Sequence, residues 1–291
     1  MPRAKAVNHH YFDELNERSA WMLGFWAADG SLVMRGRTCQ IAFYQKDRSV
    51  LEAIKTELGS EHAIARPARA NALVFSSKHM GERLHAIFGM DDLMSKSNRI
   101  AWPSLLPESL FWHFLRGWSD GDGHIRSSRG ANRFMIVSGS RRILDVLASK
   151  LLSRTGIRCS VRAMSSAHLL SCCGINAKVI VQQMYLGATI WCPARRKQAD
   201  ALMAWKAPQV PRNISEDTAR MFPDLIRVSL AHGASNSESG FYGVRQVESG
   251  RWIAKVGGQY QGTYDTPIVA AKAHDHIAIE KYGPCAILNF T

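Results

Sequence analysis

Leu115-Arg116-Gly117-Trp118-Ser119-Asp120-Gly121-Asp122-Gly123 decides the reading of this chain, because a degraded copy, Met22-Leu23-Gly24-Phe25-Trp26-Ala27-Ala28-Asp29-Gly30, stands earlier. Two copies imply two related halves. Each follows an apolar run of helical character and sets small residues four apart, Gly24 with Ala28 and Gly117 with Gly121, on one helix face. A glycine inside a helix costs about 0.8–1.0 kcal/mol relative to alanine. The spacing therefore predicts a packing reason, the close approach of another backbone, and each copy is the other's natural partner.

Each helix is expected to stop at a glycine, Gly30 or Gly123, in the left-handed conformation that follows a last helical turn. Just before it sits a carboxylate, Asp29 or Asp122, at the helix end whose dipole is already negative. Pairing the helices brings both carboxylates to the same end, where each disfavours ionisation of the other unless a cation lies between them. A divalent metal resolves that conflict. One such copy alone reads as an ordinary Asp-Gly turn; two in matched context argue for a site.

These residues resemble the LAGLIDADG motif of homing endonucleases, in the single-chain form that carries two motifs. In that family the eighth motif position carries the metal-binding, catalytic carboxylate, which falls here on Asp29 and Asp122, and the carbonyls of Ala28 and Gly121 help hold the metals. The first copy departs at the sixth position, where Ala27 stands opposite Asp120. The resemblance also implies polar or basic groups around the metals, for which the candidates are Gln45 and Ser138 at matched strand ends and Lys78 after Phe75-Ser76-Ser77. In the second half Gly174 or Lys178 stands in place of Lys78.

At 291 residues and 46% hydrophobic, the chain can hold two or three units with real cores. No apolar run reaches the roughly 18 residues of a membrane span, and Met1-Pro2-Arg3-Ala4-Lys5 leads into polar residues, so an intracellular, cytoplasmic protein without membrane contact is expected. Six cysteines, at 39, 159, 172, 173, 192 and 285, form no Cys-x-x-Cys pair and read as buried reduced thiols. The net charge of +13 points to a polyanionic partner. Its location is informative: residues 241–291 hold five Lys/Arg against four Asp/Glu and residues 207–240 three against four, leaving 29 against 16 in residues 1–206.

Helical spacing covers Tyr11 to Ala28, Val50 to Leu58 (stopped at Gly59) and Met80 to Phe88, and strand patterns cover Ser31 to Met34, Cys39 to Gln45, Ala63 to Arg66 and Leu73 to Ser76. The first two strands form a hairpin around Arg35-Gly36-Arg37. After Lys96-Ser97-Asn98-Arg99 and Pro103 to Pro107 the same order restarts with Ser109 to Ser119, making an internal repeat. Asp29 and Asp122 stand 93 positions apart, as do Gln45 and Ser138, whereas Val74-Phe75-Ser76 matches Leu169-Leu170-Ser171 at 95. The fold class is α+β: two pseudo-symmetric αββαββα halves, with a four-stranded sheet in each. Arg35, Arg37, Gln40, Arg66, Arg126, Arg133, Arg158 and Arg162, on or beside the strands, give a saddle suited to double-stranded DNA.

Ala194 to Trp205 reads as a helix carrying Arg195-Arg196-Lys197, Ala207-Pro208-Gln209-Val210-Pro211 as a break, 215–232 as one more helix, and Gly233 to Gly240 as a flexible linker. Beyond it, Tyr242-Gly243-Val244-Arg245, Gly250-Arg251-Trp252-Ile253-Ala254-Lys255, Gly262-Thr263-Tyr264, Ala270-Ala271-Lys272-Ala273 and Ala286-Ile287-Leu288-Asn289-Phe290 resemble an AP2 DNA-binding domain. That family is a three-stranded sheet on one helix, here Val269 to Tyr282. It reads DNA from the sheet, which maps to Arg245, Arg251, Trp252 and Lys255.

The domains expected are 1–102 and 103–206 as the two halves, 207–240 as a helical and flexible linker, and 241–291 as the AP2-like unit. The function implied is a site-specific, Mg²⁺-dependent (or Mn²⁺-dependent) double-strand DNA endonuclease, monomeric with internal pseudo-twofold symmetry, of the kind that confers intron or intein mobility. The rival is a non-cleaving DNA- or RNA-binding protein of the same fold, a transcription regulator or intron maturase. Phage-type endonucleases that join AP2 modules to a histidine-metal nuclease are set aside, because His9-His10, His113 and His274-x-His276 lack that nuclease's Asn and second-His arrangement.

Overall fold

The computed structural model describes residues 5–35, 38–67, 70–89, 100–128, 132–207, 214–229, 239–283 and 286–290. Arg37, the side chain of Arg35, Lys96-Ser97-Asn98-Arg99, Pro208 to Pro211, the linker from 233 to 238 and Cys285 lie outside these. The first half runs α1 (Glu17–Asp29), β1 (Gly30–Arg35), β2 (Thr38–Gln45), α2 (Arg48–Glu57), β3 (Ile64–Ala65), β4 (Asn71–Ser76) and α3 (Lys78–Phe88). The second runs α4 (Phe111–Asp122), β5 (Gly123–Arg126), β6 (Arg133–Ser138), α5 (Arg141–Thr155), β7 (Ser160–Ala163), β8 (His168–Cys173) and α6 (Gly174–Tyr185). The antiparallel sheets have matching orders, β1-β2-β4-β3 and β5-β6-β8-β7. The expected α+β repeat is present.

Helix α1 begins later than its periodicity suggested. Asn16 accepts hydrogen bonds from the N–H groups of Arg18 and Ser19 while Ser19 Oγ accepts from Asn16 N, a reciprocal cap that starts the helix at Glu17. Tyr11 to Asp13 form turns instead. From Ser19 to Ala27 every residue of α1 is buried, because the helix is enclosed between α4 and its own sheet.

The contact between α1 and α4 is backbone on backbone. A Cβ on Gly24 would stand 2.0 Å from the Phe114 carbonyl oxygen, and one on Gly117 would stand 1.8 Å from that of Trp21. Trp21 and Phe114 are themselves 93 positions apart, as are the two glycines, so each half contacts the other through the same residues. This reciprocity is the signature of a twofold axis, here between the halves of one chain.

Strand register corrects the alignment of the later strands. Gln45 pairs with Asn71 and Ser138 with His168, and Ile64 with Leu73 as Val161 with Leu170. The offset is thus 97, so Val74-Phe75-Ser76 corresponds to Ser171-Cys172-Cys173. The left-handed Gly59 (φ 53°) and Gly156 (φ 69°) already stand 97 apart, which places the four extra residues in the intervening helices. α2 has 10 residues and α5 has 15. Four residues are about one helical turn, an insertion that lengthens α5 while keeping its buried face in phase.

The chain continues through α7 (Pro193–Ala204), which packs beside β5, and then α8 (Glu216–Met221) and α9 (Pro223–Ser229), two short helices where one was expected. Phe222 leaves helical geometry (φ −132°, ψ 46°), as the residue before a proline tends to do. The last unit is a sheet of β9 (Val244–Gln246), β10 (Trp252–Val256) and β11 (Gln259–Tyr264), ordered β11-β10-β9, under α10 (Pro267–Tyr282). Its small core is Val244, Ala254, Ala270 and Ala271. Cys39 and Cys192 are buried free thiols, as expected, whereas Cys173 is an exposed one at the end of β8.

Gly24→Ala and Gly117→Ala test the helix contact. Alanine is the better helix former by about 1 kcal/mol, yet here its methyl would force the helices apart, an overpacking cost of about 1–3 kcal/mol or more. Net loss of stability is expected in urea unfolding of each variant; unchanged midpoints would mean that the two helices separate without cost.

Candidate metal and nucleic-acid site

The ends of α1 and α4 are built alike. The N–H of Gly30 reaches Trp26 O and that of Gly123 reaches Ser119 O, and the backbone then passes directly into a strand, with φ −99° at Gly30 and −77° at Gly123. The expected left-handed glycines are therefore not found. Glycine is required for space instead: a Cβ on Gly30 would stand 2.2 Å from Trp26 Cδ1, and one on Gly123 would stand 2.4 Å from Ser119 O. The switch from helix to strand aims the last-turn carbonyls, those of Ala28 and Gly121 among them, out of the helix ends.

The same packing brings the carboxylate of the first motif against the second motif. A Cβ on Gly121 would stand 2.4 Å from Ala28 Cβ and 3.3 Å from Asp29 Oδ2. The first aspartate thus lies against the backbone of the second motif, one residue before Asp122. Asp29 is half-buried and Asp122 exposed. Gln45 Nε2 lies 3.4 Å from Asp29 Oδ2 as donor. Strand pairing explains this: Gly30 is opposite Phe43, and Gln45 lies two residues on, on the same face. Ser138 holds the equivalent place beyond Ile136, the partner of Gly123, and its Oγ accepts from Ser140 N at 3.2 Å.

Lys78 is not brought to this group. Ser76 pairs with Gln40, whereas Asn71 is the residue opposite Gln45, so Lys78 lies beyond the far end of β4. The five intervening steps span about 17 Å. Its ammonium lies 3.5 Å from Glu82 Oε1, a solvated pair on α3. Lys178 is buried in α6, donates to Trp205 O at 2.7 Å, and is pushed by burial down to about 8.

Sequence reasoning missed Arg195 as a site residue. Its Nη2 lies 3.5 Å from Gly121 O and its Nη1 donates to Gln198 Oε1 at 3.2 Å, which puts a half-buried cation beside the second motif. The signal was the run Arg195-Arg196-Lys197 at the start of a Pro-initiated helix. The donors around the helix ends, two carboxylates and two carbonyls, are all hard oxygens, a set that fits Mg²⁺, Mn²⁺ or Ca²⁺ better than softer ions.

The basic candidates follow the pleat. In the second sheet Arg126 and Arg133 alternate with the buried Ile125 and Phe134, and Arg162 with the half-buried Val161 that pairs with the buried Leu170, so all three face away from the helices. Gln40 faces outward in the first sheet. Arg66 and Arg158 are exposed just outside β3 and β7, and Arg35 pairs with Thr38 at the tip of the first hairpin. Arg126 and Arg133 stand directly opposite each other, an arrangement of like charges that costs stability in a bare sheet. Beside them a groove of about 590 Å³ is lined by His124, Arg126, Ser127, Lys197 and Gln198. In the C-terminal unit Arg245 is exposed, while Lys255 is half-buried and Arg251 is turned to Asp265 (Nε to Oδ1, 3.0 Å). Trp252, expected to face a nucleic acid, packs instead against the small core, because the pleat sets it on the same side as Ala254.

The departure at motif position six has a structural counterpart. Asp120 is fully buried and accepts from Trp21 Nε1 (2.8 Å), Cys192 N (2.8 Å) and Tyr185 OH (3.1 Å), which ties both halves and the approach to α7 together. Desolvation pushes its carboxyl up from 3.8 to about 6, against these donors and the nearby Arg116. By the internal twofold, the pair Trp21 and Asp120 corresponds to Phe114 and Ala27. Phenylalanine has no N–H to offer, so an apolar Ala27 suits that place.

Among curated proteins, dehydration-responsive element-binding protein 2A of Arabidopsis thaliana is 42% identical over 64 residues, which are 20% of this chain and 19% of that protein. No family model matches. Among solved structures, the homing endonuclease I-WcaI bound to its DNA recognition sequence aligns over 65% of this chain and 90% of its own, with a TM-score of 0.49 and 13% identity. I-DmoI in complex with DNA and Mn aligns over 60% and 98% at 0.45 and 15%. Full-length DUF199/WhiA from Thermatoga maritima aligns over 73% and 68% at 0.45 and 15%. No helix among the described residues is long and apolar enough to cross a membrane.

The raised Asp120 carboxyl has a pH signature. A carboxyl with a higher pKa folded than unfolded holds its proton longer in the native state, so its contribution is complete below about pH 4 and lost as pH rises through about 6. The loss is about 3 kcal/mol at about 1.4 kcal/mol per unit. Asp120→Asn, which keeps a carbonyl acceptor, should flatten urea midpoints across this window relative to wild type; parallel profiles would show that Asp120 does not titrate there.

Proposed function

We propose that the chain is a site-specific, divalent-metal-dependent DNA endonuclease of the LAGLIDADG kind, with residues 1–102 and 103–206 as its halves and 241–291 as an AP2-like accessory unit. One observation carries this reading: at the ends of the paired helices the carboxylate of the first motif lies against the backbone of the second, beside a sheet whose outer face carries arginines. A twofold-related pair of acids suits two scissile phosphates on opposite strands. Asp29, Asp122 and the carbonyls of Ala28 and Gly121 would hold Mg²⁺ or Mn²⁺, and bound ions of this class activate a water and stabilise the departing oxygen. Gln45 orients the Asp29 carboxylate. Arg195 is placed to counter phosphate charge beside Gly121. Phosphates lying between Arg126 and Arg133 would relieve the repulsion of that cross-strand pair.

The test is cleavage of a plasmid bearing the gene's own uninterrupted insertion locus, in Mg²⁺, Ca²⁺ or EDTA. Asp29→Asn and Asp122→Asn should each suppress double-strand cleavage while leaving specific binding within about an order of magnitude, since loss of metal ligation affects chemistry more than recognition. Cleavage at the wild-type rate in both folded variants would make the acids structural. Binding without cleavage by the wild type under all three conditions would favour a non-cleaving role for the same surface.

Affinity of residues 1–206 for duplex DNA should also fall steeply with salt. With 29 basic residues there, a log–log slope of magnitude about 5 or more is expected. Arg126→Ala combined with Arg133→Ala should reduce that slope by about 2, and a slope near zero in wild type would mean that the arginine faces do not meet DNA.

A further inference from the structure

A second cluster lies apart from the aspartate pair and has a different chemistry. Residues 5–16 run as an irregular segment over the first half, with Phe12 fully buried and Asn8 N bonded to Leu58 O at 2.8 Å. Where the segment meets the start of α3, His10 Nδ1 lies 2.7 Å from Asp13 Oδ2 and His79 Nε2 lies 2.7 Å from Asp13 Oδ1. The two imidazoles sit 4.3 Å apart between centroids, tilted by 43°. One carboxylate thus divides its two oxygens between two histidines from distant parts of the chain.

We infer that His10, Asp13 and His79 form a binding site for a transition-metal dication of the zinc class, which clamps the N-terminal segment onto α3. The donor atoms of these three residues all lie within 4.8 Å of one another, the only such group of three or more His, Cys, Asp or Glu among the described residues. A tetrahedral zinc with ligands at about 2.0–2.1 Å needs donors about 3.4 Å apart, so side-chain rotations alone bring them into range. Two imidazoles and one carboxylate select zinc-class ions over Mg²⁺. Three protein ligands on an exposed surface leave a fourth position for water and an open route of entry.

The surroundings hold the ligands in place without a metal. Asp13 N bonds to His10 O at 3.0 Å, and Arg83 donates to the carbonyls of Phe12 (3.0 Å) and Asp13 (3.3 Å), fixing the turn that carries the carboxylate. His79 is fixed by its helix, whose N-cap Ser77 is itself bonded to His9 (2.8 Å). On binding, the proton that each imidazole presents to Asp13 passes through solvent to the other nitrogen of the same ring, freeing the lone pair for the metal, so that both ligands are neutral imidazoles. The site lies at the Ser76 end of β4, away from Gln45 and Asp29, so it stands independently of the proposed endonuclease function.

The experiment is titration of full-length, EDTA-treated protein with Zn²⁺, and separately with Mg²⁺, followed by calorimetry and by thermal unfolding. One Zn²⁺ should bind and raise the unfolding temperature, with Mg²⁺ producing no effect at this site. His10→Ala and His79→Ala should each weaken the zinc isotherm by more than about tenfold, the least effect that loss of even an outer partner has. His276→Ala, an exposed histidine on α10, should leave it unchanged. X-ray absorption of the zinc form should show nitrogen and oxygen ligands without sulfur. If His79→Ala fails to fold, the exposed His10 carries the test alone. Zinc binding unaltered in the His10 variant, sulfur in the coordination shell, or no zinc-induced stabilisation in wild type would each overturn the inference.

Discussion

Everything in the first 206 residues depends on two helices touching through their backbones. Gly24 against the Phe114 carbonyl and Gly117 against that of Trp21 leave no room for a methyl, and that closeness sets what the helix ends can reach. A wider separation, with ordinary side chains at the contact, would carry Asp29 away from Gly121. The glycines are costly within a helix by propensity, and their cost is offset by the reach they give to residues five positions on. In this sense the site is a consequence of packing at the dyad, and the sheets are platforms hung from it.

The dyad is only approximate, and its departures follow a pattern. Close to the axis the halves agree in residue type and in offset, because each glycine must answer the other. One layer out, Asp120 faces Trp21 where Ala27 faces Phe114, and Arg195 stands beside one motif through the helix that follows the second half. Farther still, α5 is longer than α2 by about one turn. Constraint therefore weakens with distance from the contact. Asp120 also shows how the asymmetry was stabilised: a buried carboxyl is tolerable only with several donors, and here they come from α1, from α6 and from the backbone before α7.

Much of this was legible in the residues. The spacing of small residues gave the helix pair, the 93-residue offset gave the repeat, and the alternation of strands gave the faces on which Arg126, Arg133 and Arg162 stand. What escaped was what periodicity does not encode. The strand offset of 97 depends on a helical insertion that leaves the apolar pattern in phase, so the alignment by similarity slipped by two residues. The conformation of Gly30 and Gly123 was misjudged because a glycine after a helix usually marks a left-handed cap, whereas here a tryptophan ring and a carbonyl exclude any side chain. Lys78 was grouped with the aspartates through its nearness to a strand end, without regard to which end. Arg195 and the His10, Asp13 and His79 group join segments far apart in sequence, and no local pattern announces them.

The hydrogen bond from Trp21 to Asp120 also restricts how such a molecule could be recombined. If a second half were paired with another copy of itself, the two glycine contacts would be preserved, since Gly117 and Phe114 would meet their own equivalents. Asp120 would then face Phe114, an aromatic ring with no proton to give, twice over in one dimer. A pair of first halves would meet the converse conflict, because Ala27 offers no acceptor to the buried Trp21 N–H, again twice over. Shuffling of halves is thus penalised in both directions, and a single buried hydrogen bond makes each half dependent on its particular companion.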